Sequence, residues 1–170
     1  MPTLAFTGHR PQDLPTDWTS QTFSRHFDLL MPRISRYWPA AFVTGGALGV
    51  DSFAASYALN VGAALHLVLP FTPDVMGARW GLEARKRLDF HIRHAASVDV
   101  LHQGPYNGSA TYQRRNEAMV DRADLLVAVW SGKRQGGTWN CIRYAHSVGR
   151  PMVNIFRESP TRIGARGGDS

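Results

Sequence analysis

Three glycine-bearing segments carry the clearest chemistry in the chain: Thr7-Gly8-His9-Arg10, Thr44-Gly45-Gly46-Ala47-Leu48-Gly49-Val50-Asp51 and Gly136-Gly137-Thr138. Each lies after a short apolar run and before a stretch with helical spacing. A strand that stops at glycine and restarts as a helix leaves backbone N–H groups unpaired at the positive end of that helix, and a phosphate satisfies them. Gly8, Gly45, Gly46, Ala47, Gly49, Gly136, Gly137 and Thr138 therefore read as a cradle for an anion. Arg10 reads as a clamp, because a planar guanidinium matches phosphate geometry. His9 is either a general acid beside the first loop or a turn histidine bonded to backbone. Asp51, at the start of a helix, is an N-cap or the acceptor of a ribose hydroxyl; with about four lone-pair sites a carboxylate can serve as both.

A second constellation lies on the helix expected to begin near Tyr112. Met119, Val120 and Ala123 mark its inward stripe, and one turn back that stripe reaches Arg115 and Asn116. Burying a guanidinium and an amide is costly without partners, and an anionic ligand would supply one; the alternative is an exposed first turn facing water. Arg114 reads as surface, and Glu117 as an exposed helix residue unless it supplies a carboxylate for catalysis. Trp80, Trp130 and Trp139 flank loops at the expected mouth, where an indole can stack on a nucleobase or pack in the core. His102 to Ser109, with Gly104-Pro105 and Asn107-Gly108, reads as a turn-rich flap.

The elements that must position these residues alternate along the chain. Apolar runs at 4–6, 41–43, 65–69, 98–101, 125–130 and 152–156 lack polar alternation, which suits strands covered on both faces. Between them, Phe23, Phe27, Leu30, Ile34 and Trp38 recur at helical spacing, as do Phe53, Tyr57, Ala58 and Val61, and then Leu82, Leu88 and Ile92. Pro32 is expected to kink or split the first helix. Strands separated by helices predict an α/β fold: a Rossmann-like, doubly wound, mainly parallel sheet of about six strands in a single domain over residues 1–156. Ligands of such sheets bind beyond the carboxyl ends of the strands, where all three glycine loops fall. Residues 157–170 are expected to form a flexible C-terminal tail.

Composition limits the alternatives. The chain has 170 residues, is 44% hydrophobic and 19% charged, and holds no apolar run near the roughly 20 residues of a membrane span. The single cysteine, Cys141, excludes an intramolecular disulfide and offers no metal-ligand spacing, so no metal and no cofactor are expected, and the chain reads as cytoplasmic. The net charge of +6 is nearly all arginine. Much of that excess is spread over one helix and the tail and reads as solvated surface. There is no Gly-x-Gly-x-x-Gly after the first strand and no Gly-Lys-Ser/Thr, which argues against a nicotinamide dehydrogenase and a P-loop ATPase.

Thr7-Gly8-His9-Arg10-Pro11, Val43 to Asp51, Arg115-Asn116-Glu117-Ala118-Met119-Val120-Asp121 and Gly136-Gly137-Thr138, in that order, resemble the YpsA-type branch of the SLOG superfamily. The resemblance runs from about Phe6 to Pro151. That superfamily includes the DNA-processing protein DprA and the LOG phosphoribohydrolases, whose members carry an arginine at the motif position of Arg115. The resemblance implies a Rossmann-like fold that binds a nucleotide or nucleotide-derived ligand, with ADP-ribose-like molecules and nucleoside monophosphates as the classes to consider. In the LOG enzymes the third loop reads Gly-Gly-x-Gly-Thr-x-x-Glu, and the glutamate assists N-glycosidic cleavage. Here Cys141 stands where that glutamate would fall, which removes charge stabilisation of an oxocarbenium-like transition state and a base for water.

Two function classes follow. The first is a sensor or sequestering module that binds a nucleotide-like small molecule; the second is an N-glycoside hydrolase using Asp51, Arg115 and Glu117. A third, DprA-like binding of single-stranded DNA, draws on the basic balance but lacks an evident concentration of basic and stacking residues. A homo-oligomer is compatible with all three.

Overall fold

A computed structural model describes residues 1–156; the expected C-terminal tail, 157–170, lies outside the described residues. Six strands, β1 (Thr3–Gly8), β2 (Ala41–Thr44), β3 (Leu65–Phe71), β4 (Ser97–His102), β5 (Leu125–Val129) and β6 (Met152–Asn154), form one sheet. Its order is β4-β3-β2-β1-β5-β6, and every neighbouring pair is parallel. Parallel neighbours need crossovers, and helices supply them: α1 (Ser20–Leu30), α2 (Val50–Asn60), the single turn α3 (Pro73–Met76), α4 (Leu82–His94), α5 (Ala110–Arg122) and α6 (Gly136–Ser147). The crossover from β3 to β4 carries two helices, the short α3 before α4. As Pro32 predicts, α1 stops at Leu30 and the chain continues as a 3-10 helix over Met31–Tyr37. Trp38, read as part of that helix's apolar face, instead follows it in an extended conformation and is partly exposed.

Alternation along each strand sorts the core into two layers. Leu4 and Phe6 of β1 face α1 and α2 with Phe42, Leu67, Val127 and Val129, while Ala5, Val43, Val68, Leu126 and Ala128 face α5 and α6 through Met119, Val120, Cys141 and Ile142. The first layer is built on aromatics: Phe6 stacks on Phe42 with ring centroids 4.7 Å apart and lies 5.7 Å from Phe27. Each such buried ring contributes on the order of 1.5–3 kcal/mol. The second layer has small residues on the sheet, so α5 and α6 sit close to it. The strand order reverses between β1 and β5, adjacent parallel strands whose connections lead to opposite halves of the sheet. Such a reversal opens a crevice at the strands' carboxyl ends.

A crevice at the strand-order reversal

The loops leaving β1 and β5 enclose a crevice of about 790 Å³. Gly8, His9 and Arg10 line it from the first loop, Ala47 and Asp51 from the second, and Gly136, Gly137 and Thr138 from the third; Arg115 and Asn116 of α5 complete the set. The three glycine segments thus meet in one place, as their common position after strands predicts.

They do not meet in the way the glycines alone suggest. Gly45, Gly46 and Gly49 are not in the crevice wall; a side chain on any of them would run into the protein. At Gly45 it would collide with the Arg115 guanidinium and at Gly8 with Val50; Gly46 has φ +74° and Leu69 behind it, and Gly49 has φ +85°, where a Cβ would come within 2.8 Å of the His9 carbonyl oxygen. At each of these glycines the protein itself occupies the space a side chain would need. Gly137 is the opposite case, since a Cβ there meets nothing within 4 Å.

Asp51 is not the N-cap of α2. Gly49 occupies that position without a side-chain cap, and Asp51 sits in the first turn, where its Oδ2 accepts the Ala47 N–H at 3.1 Å and lies 3.7 Å from Arg115 Nη1. The positive end of α2 is thereby answered by the helix's own carboxylate. Burial pushes the Asp51 carboxyl above its usual range, opposed by Arg115 and by the Ala47 amide.

Arg115 and Asn116 are both buried, on the inward stripe as their spacing indicates, but their partners are protein atoms. Arg115 Nη1 donates to the Gly45 carbonyl at 2.6 Å and its Nε donates to Asn116 Oδ1 at 3.0 Å, while Asn116 Nδ2 donates to the Gly137 carbonyl at 3.3 Å. This relay ties the second glycine loop to the third. His9 ties the first to the segment after β5: its Nε2 accepts the Ser131 N–H at 3.0 Å. An Nε2 that accepts is unprotonated, and burial holds the imidazole's pKa below its ordinary value, with Lys133 adding to the effect and Asp13 opposing it. His9 thus makes the backbone bond expected of a turn histidine.

Glu117 does not reach the crevice; it is half-buried on α5 and accepts from Gln113 Nε2 at 3.3 Å. Arg114 is exposed, as read. Cys141 lies beneath the floor, fully buried between α6 and the sheet, where its thiol is pushed up to about 11 by burial despite a hydrogen bond with Thr7. It packs as a small hydrophobe. Trp130 and Trp139 stack on each other with centroids 5.3 Å apart and do not line the crevice. The aromatic residues at its mouth are Tyr106, from the expected flap, and Tyr112, on the first turn of α5. Sequence reading passed over both, along with Lys133, Gln135 and Asn140; an aromatic at a helix start and polar residues around a Gly-Gly pair were the available signals.

Electrostatically the site favours an anion. Arg115 is matched by Asp51, Arg10 and Lys133 outweigh the one other lining carboxylate, Asp13, and the first turn of α6 opens on it at Gln135, Gly136, Gly137 and Thr138 with no side-chain cap. The helix dipole and the uncapped amides of that turn act in the same direction. Among the described residues no cluster of His, Cys, Asp or Glu has metal-ligand geometry, and no helix is long and apolar enough to cross a membrane.

Comparison with known proteins places this geometry. Solved structures with the same fold include DNA processing protein A from Helicobacter pylori, in a study of its single-stranded DNA binding mode (TM-score 0.64, 20% identity, 89% of this chain and 63% of that one), and DprA from Streptococcus pneumoniae (0.61, 20%, 89% and 49%). The structural-genomics protein TM1055 is a further neighbour (0.56, 15%, 89% and 72%). Among sequences, a UPF0398 protein of Shouchella clausii is 29% identical over 98 residues, 55% of this chain, and the chain spans about half (52%) of that relative's length. The SPbeta prophage-derived protein YoqJ of Bacillus subtilis is 30% identical over 120 residues, 61% of this chain and 68% of YoqJ. A family profile covers residues 4–148, from the first strand through the end of α6 and so across every loop of the crevice: the chain belongs to the YspA SLOG family, within the SLOG superfamily.

Proposed function

We propose that this protein binds a nucleotide or nucleotide-derived small molecule in the crevice, as a sensor or sequestering module. One observation carries the reading: the uncapped first turn of α6 opens, through Gly136 and Gly137, onto a cavity of about 790 Å³ that Arg10 and Lys133 also line. That volume lies within the roughly 300–1,000 Å³ of small-molecule sites. A phosphate takes the α6 amides, with Arg10 and Lys133 beside it, and Asp51 accepts a ribose hydroxyl on the far wall. Hydrolysis by the expected carboxylates is disfavoured, because Asp51 is already paired with Arg115 and Glu117 lies outside; Asp13 is the other carboxylate that lines the crevice. A reducing intracellular compartment suits a chain with one cysteine.

The experiment is calorimetric titration with AMP and with ADP-ribose, run beside an assay for released free base. Saturable binding without base release supports the module; robust release would make the protein an N-glycoside hydrolase. The fold shared with DprA favours one second reading, a single-stranded DNA site. Affinity for an oligodeoxynucleotide that falls steeply with salt, with no saturable nucleotide binding, would establish that reading in place of the first.

A further inference from the structure

Among the described residues, three histidines have a ring nitrogen within hydrogen-bonding distance of a serine hydroxyl: His66 Nδ1 lies 2.6 Å from Ser97 Oγ, His91 Nε2 2.9 Å from Ser56 Oγ, and His9 Nε2 3.0 Å from Ser131 Oγ. Such a pair can act as nucleophile and base wherever a substrate reaches it. The first sits at the amino ends of β3 and β4, the end of the sheet away from the crevice. The second is wedged between α2 and α4, and the void that borders His91 is about 10 Å³, the space of a single water. The third opens onto a cavity of substrate size. His9 and Lys133 line the crevice of about 790 Å³, and Ser131, bonded to the one and close before the other in the chain, is exposed at its rim.

The third pair is also the one whose protons can be placed. Ser131 N–H bonds the same Nε2 at 3.0 Å, and an amide nitrogen only donates, so Nε2 carries the lone pair and the neutral ring holds its proton on Nδ1. Facing that lone pair, the Ser131 hydroxyl donates as well. The hydroxyl proton is therefore already directed at a base able to take it. The amide opposes protonation of the ring, and the negative charge of Asp13, on the turn after the first loop, favours it. Lys133 and the uncapped first turn of α6 give the crevice a positive potential, which suits the oxyanion of an acyl transfer.

We propose that Ser131 and His9 form a nucleophile–base dyad that cleaves a small carboxylic ester at the crevice rim, an activity beyond ligand binding. Ser131 Oγ bonds to the ester carbonyl carbon as its proton passes to His9 Nε2. The tetrahedral oxyanion collapses, the ester C–O bond breaks, and the leaving alkoxide takes the proton from Nε2. Water then attacks the acyl carbon and gives its proton to the same nitrogen; the bond to Ser131 Oγ breaks, the acid departs, and the proton returns to the hydroxyl.

Hydrolysis of p-nitrophenyl acetate by the full chain, with mass-spectrometric mapping of the acetylated residue and of the residue labelled by a fluorophosphonate, tests this. Acyl- or phosphonyl-Ser131 is the expected product. Ser131→Ala keeps the amide bond that holds His9, and it should lower kcat/KM at least about 100-fold toward the uncatalysed rate. His9→Gln can still accept that amide and should lose activity to the same extent. The acid limb of the unmodified protein's pH profile should lie below pH 6.5, because burial, with Lys133, holds His9 low against the pull of Asp13. Ser97→Ala, at the pair on the far end of the sheet, should leave the rate unchanged. A rate indifferent to Ser131→Ala, or no modification of Ser131 by either reagent, would overturn the dyad. So would labelling of Ser131 that proceeds equally fast in a folded His9→Gln variant. Ser131 is exposed, so its replacement keeps the test available if His9→Gln unfolds.

Discussion

The Arg115 guanidinium fills the space that a side chain at Gly45 would take, and its Nη1 donates to the Gly45 carbonyl at 2.6 Å. An arginine on α5 and a glycine after β2 thus specify each other. The same guanidinium lies 3.7 Å from Asp51, so one cation both fixes the second loop and offsets a buried carboxylate. Arg115→Met should leave Asp51 buried without its cation and cost about 3 kcal/mol, the lower end for a broken buried pair. Chemical denaturation measures it; a loss under about 1 kcal/mol would mean that water reaches the pair and screens it.

The glycines separate into two groups that mutagenesis can tell apart. Gly46→Ala must place a side chain at φ +74° against Leu69, so it should destabilise by at least about 1–2 kcal/mol. Gly137→Ala has open space within a helix and should be neutral or stabilising by up to about 1 kcal/mol. Gly137→Leu should keep the fold and obstruct the crevice. Similar melting temperatures for Gly46→Ala and Gly137→Ala would contradict this division.

His91 makes the fold acid-sensitive. It is buried under α4, its Nε2 lies 2.9 Å from Ser56 Oγ, and burial, with Arg87 nearby, lowers its pKa to about 4. The unfolded chain, with an ordinary value near 6.5, takes up the proton first as pH falls. Stability is therefore full above about pH 6.5 and lost progressively toward pH 4, by up to about 3 kcal/mol at 1.36 kcal/mol per pKa unit. Denaturation curves at pH 7.5, 5.5 and 4.5 should show that decline, and His91→Gln should flatten it. An identical pH dependence in the variant would assign the effect elsewhere.

Cys141 should be unreactive. A thiol with no exposed surface and a pKa near 11 presents almost no thiolate at neutral pH, so a disulfide reagent should label it only on global unfolding. Cys141→Glu should not create a hydrolase, because the new carboxylate would lie in the layer between α6 and the sheet, and loss of the folded state is expected. Rapid labelling of the native protein, or base release by a folded Cys141→Glu variant, would show that this position reaches the ligand.

Much of the scaffold is legible in the sequence. Six apolar runs without polar alternation mark six parallel strands, and the stripe through Met119, Val120 and Ala123 places Arg115 and Asn116 inside. The direction in which a glycine's missing side chain would point is not legible, because it depends on what packs behind each loop: Leu69 behind Gly46 and Arg115 behind Gly45 are distant in sequence. The partners of Arg115 are missed for the same reason. The mutual stacking of Trp130 and Trp139, and a cavity lined by Trp80, arise from loops whose conformation has no periodic signature.

The central claim is that a nucleotide's phosphate sits on the first turn of α6. A crystal structure of the protein soaked with AMP tests it most directly. Phosphate density within hydrogen-bonding distance of the backbone amides of Gly136, Gly137 or Thr138, with Arg10 or Lys133 turned toward it, is the expected result. AMP bound at full occupancy elsewhere on the molecule, or a crevice that stays without density at AMP concentrations saturating in solution, would contradict it.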